Sequence, residues 1–169
     1  MLGNGDGTFI SAPYRALTTD AKTFVAADFN GDQRTDAAVA GLNGDLTIAL
    51  GKANGELETL RTEFVRTAQG GNVNIDGMVS ADFNGDGRAD LAIADSRTSA
   101  WVMLGGANTV FAAPVRYTTL PGMRAIATAD FNKDGRPDLV LAGSPSRQAG
   151  GVSLLLGNPD GTFRAAIDT

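Results

Sequence analysis

The sequence predicts an all-β fold made of three four-stranded antiparallel repeats plus one extra outer strand. Three observations predict it. The segment ADFNGDQRTD (27–36) returns as ADFNGDGRAD (81–90) and as ADFNKDGRPD (129–138), at spacings of 54 and 48 residues. Short apolar runs of four to six residues enter and leave each copy and end in Gly, Asp or Asn, a length and punctuation that favour buried strands over helices. A turn of the form LGNxDGTF recurs in the same frame, at 2–9 and at 156–163. Four strands per ~50 residues, repeated in register, is the pattern of a β-propeller blade.

The elements follow in chain order. An outer strand at 9–17, preceded by LGNGDGTF, belongs to residues 1–20 and precedes the first unit. The first blade spans 21–68, the second 69–119 and the third 120–169. In each, a first strand runs into the acidic loop (24–27, 78–81, 125–129) and a second leaves it (37–40, 91–94, 139–142), so the loop is a hairpin connection. A third strand follows at 46–50, 101–104 and 152–156. Asn-Gly and Asp-Gly pairs in the next turn supply positive φ at low cost. The copies LGKANGEL (50–57) and LGGANTVF (104–111) have drifted but keep the frame. A more polar fourth strand closes each unit at about 57–66, 111–118 and 163–168; polar edges discourage edge-to-edge aggregation. No helix is expected.

Composition narrows the chemistry. With 169 residues and 43% hydrophobic content the chain can bury a core. It has no cysteine, which excludes disulfides and thiolate metal sites, and no histidine, which removes the usual zinc ligand and the usual general base near neutral pH. No apolar run approaches the ~18 residues of a membrane span, and nothing at the start resembles a signal peptide. The formal charge is −5, and nine of the 16 aspartates sit in the three loops. The acidity is therefore local, and a chain of this charge lacks the basic footprint that nucleic acids require. Three bound calcium ions would bring the formal charge to about +1.

Each loop offers oxygens at positions 1, 3, 5, 7 and 9, an array suited to a hard cation, above all Ca2+. In the second copy these are Asp82, Asn84, Asp86, the carbonyl of Arg88, and Asp90. The first copy offers Asp28, Asn30, Asp32, the carbonyl of Arg34, and Asp36; the third offers Asp130, Asn132, Asp134, the carbonyl of Arg136, and Asp138. Three calcium sites are expected. Gly87 and Gly135 at position 6 permit a sharp bend, whereas Gln33 stands there in the first copy, which is therefore expected to be the weakest site. Phe83 at position 2 should turn away from the loop and anchor it on the core. A single such loop can also be an Asx-rich turn whose carboxylates cap backbone N–H groups; three copies in register favour the metal reading. The first six positions match the EF-hand loop, but position 12 is Val39, Ile93 or Leu141, not glutamate, and lies in an expected strand rather than before a helix. Dockerin modules share the opening but also continue into a helix.

These residues resemble the FG-GAP repeats, also called VCBS-like repeats, of integrin α-chain propellers and many bacterial extracellular proteins. The resemblance rests on ADFNGDGRADL (81–91) followed by VSLLLGNPDGTF (152–163), with copies across essentially the whole chain. It implies propeller blades, usually seven to a ring, and calcium bound in the loop between the first two strands of a blade through the positions named above. It also implies an extracellular or cell-surface location and a role in adhesion, in protein or carbohydrate recognition, or in scaffolding. Three blades cannot close a ring, which takes about four to eight. Either the chain is part of a longer propeller or copies associate, most simply two chains making six blades. The expected function is thus a calcium-stabilised, non-catalytic interaction module. Two alternatives are the propeller domain of a polysaccharide-active enzyme and a purely architectural repeat. The carboxylates outside the loops mostly sit beside turn glycines, which reads as turn formation rather than as a catalytic pair. Trp101 and Tyr117 could stack on a sugar, but Trp101 lies on an expected strand and reads as core, and the equivalence of Tyr14 and Tyr117 argues for repeated packing.

Overall fold

The computed structural model describes residues 2–3, 5–10, 20–42, 44–66, 71–146 and 149–169. Three four-stranded antiparallel sheets hold all but two of the strands among them. The first sheet holds β3 (Ala21–Ala27), β4 (Asp36–Gly41), β5 (Asp45–Gly51) and β6 (Leu57–Phe64), in that spatial order. The second holds β7 (Gly77–Ala81), β8 (Asp90–Asp95), β9 (Ser99–Met103) and β10 (Val115–Thr118). The third holds β11 (Met123–Ala129), β12 (Asp138–Ser146), β13 (Ala149–Leu155) and β14 (Ile167–Asp168). Before them, β1 (Leu2–Gly3) pairs with β2 (Phe9–Ile10) across the LGNGDGTF turn. The expected outer strand at 9–17 is seen as far as Ile10; the rest of it, with Tyr14, lies outside the described residues.

Each sheet is a simple meander, so every strand pairs with its sequence neighbours and each acidic loop joins a sheet's first two strands. The first strands β3, β7 and β11 lie beside one another, which stacks the sheets as successive blades. Burial lies between the sheets. Along β8 the bulky Leu91 and Ile93 face the first blade, in a core with Ile48, Met78 and Trp101. The intervening Ala92 and Ala94 face the third blade, in a core with Leu139, Leu141 and Leu155. The period-2 alternation of one strand thus sorts large side chains to one seam and small ones to the other. At ~25 cal/mol per Å² of apolar area removed from water, these seams are the main favourable term in folding.

The fourth strands are shorter than the sequence suggests. In the second blade, Gly105 and Phe111 form only an isolated bridge, and regular pairing resumes at Val115. The third blade breaks in the same way, with an isolated Gly157–Phe163 bridge and pairing again only at Ile167, although Ala166 stands there in the place of Pro114. The drifted turn LGGANTVF carries a single 3-10 turn, Ala107–Thr109, with Asn108 in the left-handed region. Trp101 is buried on β9, and Tyr117 packs edge-on against Phe163 while its hydroxyl accepts the Phe163 N–H at 3.1 Å. Both side chains are built into the seams.

Candidate metal centre

The three acidic loops share one backbone design. Position 1 accepts N–H bonds from across the loop. Asp28 Oδ1 accepts from Gly31 at 2.7 Å, and Oδ2 accepts from Gln33 at 2.7 Å. Asp82 accepts from Gly85 and Gly87 at 2.7 and 2.8 Å, and Asp130 from Asp134 and Gly135 at 3.0 and 2.8 Å. The position 3 side-chain oxygen, Oδ1 of Asn30, Asn84 or Asn132, accepts the position 5 N–H in every copy. Its amide nitrogen donates to the position 5 carboxylate. Positions 1, 3 and 5 therefore surround one small loop, as the sequence spacing suggests.

Position 9 is different. Asp36, Asp90 and Asp138 are buried, and each accepts two backbone N–H groups, one on each oxygen. One donor is the phenylalanine at position 2 of the same loop: Phe29, Phe83 or Phe131. The other is the glycine at the end of the third strand: Gly51, Gly105 or Gly157. All six distances lie between 2.6 and 2.9 Å. The sequence reading makes these residues the closing ligands. Here they also tie the loop to β5, β9 and β13, and each oxygen retains a second lone pair. Among the described residues no three acidic side chains converge as a ready metal cluster, in keeping with position 9 turning into the sheet.

Two features escaped sequence reasoning. The first is the strand-end glycine, which the sequence reading treats only as part of a turn. A Cβ at Gly51, Gly105 or Gly157 would lie 2.2–2.3 Å from the carbonyl oxygen of Thr35, Ala89 or Pro137, the residue at position 8. Only a residue without a side chain lets the loop press onto the strand. The second is the arginine at position 7, considered only for its carbonyl. Arg34 Nε donates to the Gly51 carbonyl at 2.9 Å and its guanidinium pairs with Asp32. Arg136 does the same with the Gly157 carbonyl, at 3.1 Å, and Asp134. Arg88 pairs with Asp86 at 3.4 Å. The recurring LG dipeptide and the recurring Arg were the available signals.

The bend positions carry one expected and one unexpected residue. Gln33 does take a positive φ, 64°, where Gly87 and Gly135 stand at 83°. At position 4, Gly31 and Gly85 are matched in the third loop by Lys133, at φ 61°. The first and third loops therefore each hold one strained non-glycine residue, at about 1 kcal/mol, and backbone strain alone does not single out the first.

Electrostatics follow burial. Burial pushes the Asp90 carboxyl above its ordinary value and repulsion from Asp82 and Asp86 adds to it, against the two N–H donors. For Asp28 burial also acts upward, but four backbone N–H donors outweigh it and the net shift is downward. The Arg88 N–H, the Asn84 amide and the Arg88 charge hold Asp86 low. Asp28 and Asp86 are thus both held toward the ionised form.

Five carboxylates outside the loops have structural partners. Asp6 and Asp160 each clasp a threonine two residues on, through its N–H and hydroxyl. Asp76 accepts from Lys22 of the first blade at 2.6 Å and from the Ser96 N–H at 2.9 Å. Asp95 caps the Arg97 N–H, and Asp168 accepts from the Ser153 hydroxyl. No helix among the described residues is long and apolar enough to cross a membrane.

Comparison with known families finds a model of FG-GAP-like repeats matching residues 28–93 and 82–141, and a model of FG-GAP repeats matching 124–162. The first two matches each begin at position 1 of an acidic loop and end in the strand after the next loop. No curated protein matches the chain.

Proposed function

The chain belongs to the FG-GAP-like repeat family, whose model covers more than half of its length, and on that footing we propose that it is a calcium-stabilised, non-catalytic interaction module. Its setting in this reading is the cell exterior, and its task is adhesion or recognition of a protein or carbohydrate partner. The observation that carries the reading is the threefold repetition of one acidic loop with the same internal bonds on the same hairpin of each blade.

The donors suit calcium. All are hard oxygens, two carboxylates and an amide around each loop, joined by the position 7 carbonyl and by the free lone pairs of position 9. In this structure the charge at position 5 is met by an arginine guanidinium and by the position 3 amide N–H. These contacts support the reading, since a cation would take over the charge-neutralising part that the arginine plays there. Asp28, Asn30, Asp32 and the Arg34 carbonyl would hold the ion in the first loop, Asp82, Asn84, Asp86 and the Arg88 carbonyl in the second, and Asp130, Asn132, Asp134 and the Arg136 carbonyl in the third. Calcium would neutralise the rim and fasten two strands of each blade.

Extracellular modules bind calcium at ~0.1–1 mM. The test is a titration of the double variant Asp82→Asn, Asp86→Asn against the parent chain. Loss of one binding equivalent with the fold retained is expected. An unchanged count, or no binding by the parent, contradicts the reading. Glycan arrays and immobilised-chain pull-downs in calcium test recognition, and silence in both leaves an architectural repeat as the better description.

A further inference from the structure

The seam between consecutive blades is built around one repeated contact. Phe29, at position 2 of the first loop, meets Phe111 of the second blade's hairpin edge-on, with ring centroids 5.8 Å apart. Phe83, at position 2 of the second loop, meets Phe163 of the third blade's hairpin in the same way at 5.3 Å. The covered rings are almost inaccessible, at 2% and 3% exposure. Phe131 holds the same place in the third loop and is 48% exposed. The same face of the third blade also leaves Ala142 and Val152 exposed, where the matching face of the second blade buries Ala94 and Ala100.

The element that would cover this face is present elsewhere in the chain. LGNGDGTF (2–9) differs from the docked hairpin LGNPDGTF (156–163) at one residue in eight. The two share their internal clasp. Thr8 donates its N–H and hydroxyl to Asp6 Oδ1 at 2.9 and 2.6 Å, and Thr162 donates to Asp160 Oδ1 at 3.0 and 2.6 Å. They differ in what surrounds them. A Cβ at Gly161 would lie 2.8 Å from Leu104 and 3.0 Å from Asn84, because that hairpin is pressed onto the second blade. At Gly7 it would meet nothing within 4 Å. One chain thus offers a hairpin whose tip, residues 5–8, is exposed and an uncovered seat for its twin.

We propose that the 2–9 hairpin of a second copy docks on the third blade over Phe131, repeating between chains the seam already formed twice within one. The contact is heterologous, head to tail. It is not the completion of the last sheet by a borrowed strand, since β14 already pairs with β13. The inference stands whether or not the loops hold calcium.

The test is light scattering across a wide concentration range, with and without calcium. The parent chain is expected to reach at least twice the monomer mass. Phe131→Asp should remove the seat and Gly7→Asn should block the hairpin, asparagine being tolerated at positive φ. Each variant alone should stay monomeric. Mixed, they should form a one-to-one heterodimer and nothing larger, since only one seat and one hairpin remain. Val152→Asp is a second seat variant should Phe131→Asp fold poorly by circular dichroism. A parent chain that stays monomeric overturns the proposal, whether its own hairpin folds back or a different partner covers Phe131. Variants that associate alone, or that fail to pair when mixed, overturn it as well.

Discussion

The rim and the root of each acidic loop carry the same residue and do different work. At the rim, positions 1, 3 and 5 are partly or fully exposed, and their oxygens hold the loop's own N–H groups, an amide and a guanidinium. At the root, position 9 is buried, and its two oxygens join the loop's phenylalanine to the end of the third strand. The difference teaches that one aspartate in three is a structural tie first, and that a cation held at the rim would act on a loop already fastened at its base.

The largest expected effect separates the two. Asp90→Ala strands two buried N–H groups and should cost about 3 kcal/mol, since each unsatisfied buried donor costs roughly 1–3 kcal/mol. Urea unfolding should show that loss in calcium and in chelator alike. Asp86→Ala, at the exposed rim, should matter far less in chelator and show its effect only when calcium is present. Equal losses at the two positions in chelator would erase the distinction.

The next effect compares the arginines. Arg34→Met removes the bond to the Gly51 carbonyl and should cost about 1 kcal/mol. Arg88→Met, whose described partner is the exposed Asp86, should cost less than about 0.5 kcal/mol. Smaller still, Gln33→Gly and Lys133→Gly should each change stability by under about 1 kcal/mol and in the stabilising direction, relief of left-handed strain being partly offset by unfolded-chain entropy. Gly87→Gln in the second loop should do the reverse.

A carboxylate outside the loops gives the pH control. Burial acts to raise Asp76, but its bonds to Lys22 and Ser96 outweigh that and hold its pKa low. A lowered folded-state pKa contributes stability above the unfolded value, ~3.9, and loses it as pH falls below that value. Asp76→Asn should therefore flatten the acid limb of the stability curve while leaving calcium binding unchanged. An acid limb identical to that of the parent would show that the Lys22 tie contributes nothing.

Much of the fold was legible in the sequence, because register and burial were written in repeats. The alternation Leu91-Ala92-Ile93-Ala94 marks a strand buried on both faces, and the three acidic loops mark the first hairpin of each sheet. The length of the fourth strands was not legible: the second and third blades both leave a gap after an isolated bridge, with Pro114 in one and Ala166 in the other, and only three-dimensional pairing shows where the ladder resumes. Within the loop, spacing put positions 1, 3 and 5 on one tight turn, where their oxygens accept the loop's own N–H groups. Spacing does not say which way position 9 faces, since a carboxylate there can serve a cation, an N–H or both. Nor does it show that Gly51, Gly105 and Gly157 are needed for close approach, because the atoms they make room for lie 16 to 20 residues away. Nor is the left-handed conformation of Lys133 legible, because position 4 takes glycine in two loops and lysine in the third.

Counting calcium ions bound per chain by calorimetric titration, with a parallel thermal melt in calcium and in chelator, tests the central claim most directly. Three equivalents are expected, together with a melt raised by calcium. A site filled to 100 times its dissociation constant adds about 2.7 kcal/mol. No heat of binding and superimposable melts would contradict the account.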